Sequence, residues 1–296
     1  MTFTSEPHVV PIKVYFLLAA AIIAFAANSV LCRLALANNA IDPAGFTVVR
    51  IVSGIMVLMI IWFLRQRNRG MLETNKGKKG SWLGASALFV YALGFSYAYV
   101  YIDTGIGALI LFGSVQVSMI AFGLCKGERF TLTQWIGFSS ALAGLCYLLW
   151  PTLSSPSLFG AIAMLIAGLA WGIYSLLGKG SQDALADTAF NFFRCLVFVV
   201  ILIPFSYSYF EFTKTGVILA VLSGALASGL GYALWYSVLP YFTSMTAAVS
   251  QLSVPVIAAL GGLVFVGEAL DLRLLLASTL VLGGVLVVLL FKPVLR

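Results

Sequence analysis

The chain has 296 residues, of which 61% are hydrophobic and 9% charged, with a mean hydropathy of +1.06. Soluble domains carry about 25% charged residues, so a soluble fold is excluded. The net charge of +7 is no nucleic-acid signature either, because six of the 17 basic residues crowd into one loop, as Arg65, Arg67, Arg69, Lys76, Lys78 and Lys79.

Residues 1–11 (MTFTSEPHVVP) have no basic leader, and no small-residue cleavage site follows the first apolar run, so that run reads as a retained span. Ten spans are expected, over 13–36, 45–65, 81–101, 105–125, 132–150, 157–178, 188–208, 215–237, 243–266 and 271–291. Each is near the ~20 residues that a helix needs to cross a hydrocarbon core. The basic loop 66–80 is expected on the cytoplasmic side, which puts the N-terminus there too. Loop 126–131, with Lys126 and Arg129, and the basic tail KPVLR then lie on the same side. Loops 37–44 and 151–156, on the other side, have no Lys or Arg; Lys214 and Arg273 run against the bias. The expected fold is thus an all-α integral membrane protein with both termini cytoplasmic.

The chain repeats itself. FAANSVLCR at 25–33 and WGIYSLLGK at 171–179 align Arg33 with Lys179 and Asn28 with Tyr174. Arg50, early in the second span, matches Arg194, early in the seventh. The fourth and ninth spans both end in Gly-Glu, as Gly127-Glu128 and Gly267-Glu268. The offsets are 146, 144 and 140 residues, a slow drift of the kind that loop-length differences cause. The repeats are 13–150 and 157–291. Five spans per repeat force the second copy to enter the membrane upside down, and such inverted repeats build a midplane site that opens to either side. The expected function is secondary transport.

The W-G-x-x-x-x-x-x-K at 171–179, its variant at 25–33, the paired arginines and the two Gly-Glu ends resemble the EamA-type drug/metabolite transporter superfamily. Members include an aromatic amino-acid exporter and plastid sugar-phosphate translocators. The resemblance covers essentially the whole chain. It implies ten helices in two inverted five-helix repeats, with a cavity lined mainly by spans 1, 3, 4, 6, 8 and 9. Spans 5 and 10 would be peripheral. It also implies an exporter of amino acids or related metabolites, as a monomer or homodimer, and the lack of a transit peptide favours a bacterial inner membrane. The chain departs from the pattern at Phe25-Ala26, where Trp-Gly is common, and in span four, which lacks a counterpart of Pro255.

Several residues are candidates for the work. Arg33, Arg50, Lys179 and Arg194 are costly inside a span and therefore often functional; near span ends they equally snorkel to water or brace helix carbonyls. Asn28, Gln116, Tyr174 and Gln251 lie deeper. Amides donate and accept, which suits a zwitterion, and which suits interhelical bonding just as well. Tyr97 and Tyr101 share one face of span three, and Tyr232, Trp235 and Tyr236 roughly share one of span eight; with Trp171 these form candidate pocket walls. Tyr101 and Tyr236 serve equally as interfacial belt residues. Pro255 frees a backbone carbonyl and can kink span nine. The run SGALASGLG at 223–231 reads as close helix packing.

What is missing is informative too. The acidic residues fall at span ends or in loops, so the carrier is expected to be facilitative; Asp103 is the exception to watch. One histidine, His8, and four cysteines without metal spacing argue against a zinc or haem site, and no cofactor is expected. An intramembrane enzyme finds no clustered catalytic set.

Overall fold

Many large side chains that face outward are apolar. Phe16, Phe63, Val117, Ile136 and Val200 are each more than half exposed. In water such a surface would aggregate; in hydrocarbon it is the compatible one. The computed structural model describes residues 10–37, 40–69, 79–101, 104–149, 157–206, 212–266 and 272–291.

Among these residues the first half comprises α1 (Ile12–Ala37), α2 (Pro43–Arg69), α3 (Trp82–Tyr101), α4 (Thr104–Cys125) and α5 (Leu132–Leu149). The second half begins with α6 (Leu158–Gly178) and α7 (Ala184–Ser206). Its next segment is composite: α8 (Lys214–Leu222), a π-helical stretch (Ser223–Leu230) and α9 (Gly231–Val238) run on from one another. Then come α10 (Ser244–Ser250), α11 (Ser253–Val266) and α12 (Leu272–Leu290). Among the described residues six helical segments are long and apolar enough to cross a membrane, namely Ile12–Leu36, Pro43–Arg67, Trp82–Tyr101, Leu158–Gly178, Ala184–Pro204 and Lys214–Tyr241. Shorter apolar helices at Ile110–Cys125, Ser244–Ala258 and Thr279–Leu290 accompany them.

Helix starts follow ordinary capping chemistry. The hydroxyls of Ser157, Thr213 and Thr243 accept the amides of Gly160, Gly216 and Thr246 at 3.1, 3.0 and 3.1 Å, which satisfies donors that would otherwise be orphaned. The segment expected as the ninth span is broken at Gln251-Leu252, where two turn residues separate α10 from α11. Pro255 lies in the first turn of α11, where a missing N–H costs little. The break therefore precedes the proline rather than forming around it.

The main helix pairings recur when the two halves are exchanged. Packing of α3 on α6 is answered by α9 and the π stretch on α1. Packing of α4 on α6 is answered by α11 on α1, and α3 on α7 by the π stretch on α2. The pairs α2–α7 and α5–α12 answer themselves. The α5–α12 pair is close enough that a Cβ on Gly137 would meet the Gly284 carbonyl at 2.7 Å. Small residues allow this approach where no hydrophobic force drives helices together.

Candidate functional site

Polar side chains from both halves converge between α1, α2, α3, α6 and the composite eighth segment. At the centre is Arg50, 1% exposed. Its Nε donates to Ser228 Oγ at 2.8 Å, and its Nη2 to the hydroxyls of Tyr232 at 2.5 Å and Tyr91 at 3.4 Å. The guanidinium also lies 5.3 Å from the ring centre of Tyr91 and 5.6 Å from that of Phe95. Its Nη1 is buried without a hydrogen-bond partner. Among the described residues no carboxylate forms an ion pair with it. Neutral hydroxyls and ring faces only partly offset the several kcal/mol that an ion loses on leaving water.

The network extends to α1. Asn28 Nδ2 reaches Tyr91 OH at 3.5 Å, and Asn28 Oδ1 accepts from Ser223 Oγ at 2.6 Å. The π stretch thus supplies both serines, Ser223 to Asn28 and Ser228 to Arg50. It lies so close to α2 that a Cβ on Gly224 would run into the Arg50 carbonyl and Ser53 Oγ.

An aromatic wall backs the network. Trp171 stands 4.6 Å from Tyr232, 4.9 Å from Tyr91 and 5.2 Å from Phe25, ring centre to ring centre. Its Nε1 donates to Gln251 Oε1 at 2.6 Å, at the break between α10 and α11. A cavity of about 20 Å3 remains beside it, lined by Phe25, Ser29, Tyr91, Phe95, Leu111, Phe112 and Trp171. That is room for one water-sized body.

The other sequence candidates take different places. Gln116 Nε2 donates to the Ala248 carbonyl at 2.7 Å, which ties α4 to α10. Trp235 Nε1 donates to Ser175 Oγ at 3.0 Å, and Tyr236 OH to the Tyr174 carbonyl at 2.8 Å, so both polar tips hold α9 to α6. Tyr174 stacks on Trp171 at 5.5 Å. Tyr101 is 54% exposed and meets Phe159 edge-on, away from the cluster. Tyr97 is half-buried, and the cluster's ring contacts among the described residues do not include it. The inward face of α3 is instead Tyr91, Phe95 and Tyr99, spaced by four, with Phe95 and Tyr99 in edge contact at 4.7 Å. Tyr97 and Tyr101 have the same spacing on the other side of the helix, and the spacing alone does not say which side faces in.

The four basic candidates separate. Arg194 Nη1 donates to the carbonyls of Lys79 at 2.9 Å and Phe190 at 3.1 Å, which makes it a brace for the end of the basic loop. Arg33 is half-buried near the end of α1. Lys179 donates to Glu128 Oε1 at 3.0 Å and to Ser244 Oγ at 2.9 Å. Glu128 also accepts the backbone amides of Ser244 at 2.9 Å and Met245 at 3.0 Å. Burial opposes the charge on Glu128, but the two amides and Lys179 outweigh it and hold the carboxyl below the usual glutamate range. This latch joins the end of α6, the α4–α5 loop and the start of α10. Asp103, Gly267 and Glu268 lie outside the described residues. Of the cysteines, Cys32 and Cys195 are buried and Cys125 and Cys146 exposed, all as free thiols.

The sequence reading missed Tyr91, Phe95, Ser223 and Ser228 as parts of the cluster. The first two continue the aromatic register of α3, and the serines lie in the run read as packing.

A helical bundle with an apolar exterior and a polar cluster drawn from both halves defines a multi-pass membrane protein, and the comparisons say of which kind. The chain belongs to the EamA-like transporter family, whose model matches residues 12–150 and 158–290. The family is one of transporters, not enzymes. The chain is 49% identical to an uncharacterized protein of Pseudomonas aeruginosa, over 91% of this chain and 92% of that one. It is 22% identical to an uncharacterized transporter of Bacillus subtilis, over 83% of this chain and 86% of that one. With an uncharacterized transporter of Archaeoglobus fulgidus it shares 24% identity, over 92% and 96%. One solved crystal structure has the same fold, with a TM-score of 0.71 at 20% identity, over 92% of this chain and 97% of that chain.

Proposed function

We propose that this protein is a facilitative secondary carrier that exports small amphipathic metabolites, amino acids first among them, across a bacterial inner membrane. The observation that carries this reading is the cluster at the junction of the halves. Asn28, Arg50 and Tyr91 come from the first half, and Trp171, Ser228, Tyr232 and Gln251 from the second. Rocking of one half against the other would open such a site to alternate sides. The recurring pairing supports two inverted five-helix repeats, 13–150 and 157–291, and ten spans. With both termini cytoplasmic, the Lys179–Glu128 latch is on the cytoplasmic side.

Uptake of labelled amino acids into proteoliposomes, with and without an imposed pH gradient, tests the reading. Saturable uptake indifferent to the gradient is expected. Uptake that needs the gradient would replace the facilitative reading with a proton-coupled one. The small cavity beside Trp171 favours a second reading, a non-transporting scaffold with a filled centre; absence of uptake for aromatic, aliphatic and basic amino acids alike would move the weight there. For the topology, single cysteines replacing Lys126 and Lys214 should react with an impermeant maleimide from the cytoplasmic and the outer face respectively. Labelling of both from one face would break the ten-span arrangement.

A further inference from the structure

The buried Arg50 is over-supplied as a donor and under-supplied with charge. Two of its nitrogens are committed, Nε to Ser228 and Nη2 to Tyr232 and Tyr91. The third, Nη1, is buried and has no partner. The hydroxyls around it are neutral, and no described carboxylate pairs with it. Arg194 also bonds through one nitrogen, Nη1 on two carbonyls, but it is only half-buried and has no buried nitrogen without a partner, unlike Arg50. A buried guanidinium with one open nitrogen and no counter-ion is a half-finished ion pair.

We infer that Arg50 is the seat for a carboxylate of the transported molecule, with Nη1 donating to it and the aromatic wall of Phe25, Trp171 and Tyr232 packing against the apolar remainder. This rests on the carrier reading above and names the substrate class for that site. Three features support it. The guanidinium lies against Tyr91 and Phe95, which also line the residual cavity, so the cation is one ring layer from the open space without lining it itself. The site offers a single uncommitted nitrogen on a single cation, which suits a monoanion such as a carboxylate; a phosphate dianion calls for more donors and more charge. The arginine is pre-oriented by Ser228 and Tyr232, so binding does not have to order a floppy side chain. The cavity of about 20 Å3 is too small for the ligand, so the space beside Trp171 has to widen before a ligand can sit there. The halves must part for the carboxylate to enter, which is the motion that a carrier supplies.

The test compares four aromatic probes on the full-length protein: phenylalanine, 3-phenylpropionate, phenylalaninamide and phenethylamine. The first two carry a carboxylate and the last two do not. Binding in detergent is read by tryptophan fluorescence, and uptake of labelled phenylalanine is measured separately in proteoliposomes. The expected result is saturable binding of both carboxylates at half-saturation roughly tenfold or more below the other two. That preference should be lost in Arg50→Gln and partly kept in Arg50→Lys. The wild-type comparison stands even if Arg50→Gln does not fold. Equal binding of the amide or the amine overturns the carboxylate seat, as does an unchanged preference in a folded Arg50→Gln; phenylalanine uptake would then still uphold the carrier. Absence of binding by all four also overturns the seat, and the uptake assay alone then decides the carrier reading.

Discussion

Arg50 and Arg194 occupy matching places in the two halves and have opposite surroundings. Arg50 is enclosed by hydroxyls and rings with one buried nitrogen idle, whereas the half-buried Arg194 bonds through Nη1 to the carbonyls of Lys79, at the end of the basic loop, and Phe190. The pair diverges in energetics accordingly. Replacing buried ionic groups by well-packed apolar side chains of similar volume is often neutral or stabilising. We expect Arg50→Met to melt at or above the wild-type temperature and to lose transport, since Tyr91 and Tyr232 retain each other at 3.3 Å. Arg194→Met should melt lower and keep transport. Thermal unfolding in detergent beside uptake decides it, and a strongly destabilised Arg50→Met would recast Arg50 as structural.

Within the latch, Glu128 matters more than Lys179. Glu128→Ala deprives the Ser244 and Met245 amides of their acceptor as well as the lysine of its ion pair, a loss of about 1–2 kcal/mol. Lys179→Ala removes one partly exposed ion pair and one bond to Ser244, about 1 kcal/mol or less. Melting curves of the two variants should rank in that order; the reverse ranking would make the lysine the organising group.

The latch also has a pH signature. The Glu128 carboxyl is more acidic in the folded protein than in the free chain, so its ionised form favours the folded state. That contribution is complete above the ordinary glutamate pKa of about 4.3 and is lost as pH falls through the lowered folded value. The gap in melting temperature between wild type and Glu128→Gln should therefore hold from neutral pH to about pH 5 and narrow below that. A gap that narrows toward alkaline pH instead would contradict the assignment.

Gly224 has no room for a side chain, because an added Cβ would meet the Arg50 carbonyl and Ser53 Oγ. Backbone cannot be moved aside like a flexible side-chain tip. Gly224→Ala should separate α2 from the π stretch, with little folded protein recovered on size exclusion. Recovery of a folded variant with normal transport would show that this approach is dispensable.

The bond from Trp171 Nε1 to Gln251 Oε1 at 2.6 Å is buried. Gln251→Leu leaves the indole N–H without its acceptor at a cost of about 1–3 kcal/mol. Combining it with Trp171→Phe should cost less than the sum of the two single changes in melting measurements; strict additivity would mean that the two side chains do not act on each other.

The repeat was legible because its markers are chemically conspicuous: a basic residue ending a span, or a Gly-Glu closing one, stands out in an apolar chain. Trp171, Tyr232 and Gln251 were legible as polar or amphipathic groups inside spans. The inward face of α3 was not, because Tyr91, Phe95 and Tyr99 compete with Tyr97 and Tyr101 at identical spacing. With lipid outside and protein inside both apolar, no polar stripe marks which face is which. The depth of Arg50 was hidden for a related reason. Eight residues into α2 is close to the helix end by count, yet neighbouring helices close over it.

The π stretch has a consequence for phase. In an α-helix, residues five apart point about 140° away from each other, so one helix could not offer both Ser223 and Ser228 to the same neighbours. The i→i+5 pattern of a π-helix brings residues five apart back toward one side. The widened turn therefore works as a phase correction that lets a single helix address Asn28 and Arg50 together. Its length is a coded quantity: if the stretch wound as an ordinary helix with the five-residue spacing kept, one serine would turn out of the site, whereas removing one residue between them would leave them four apart on the same face of an ordinary helix.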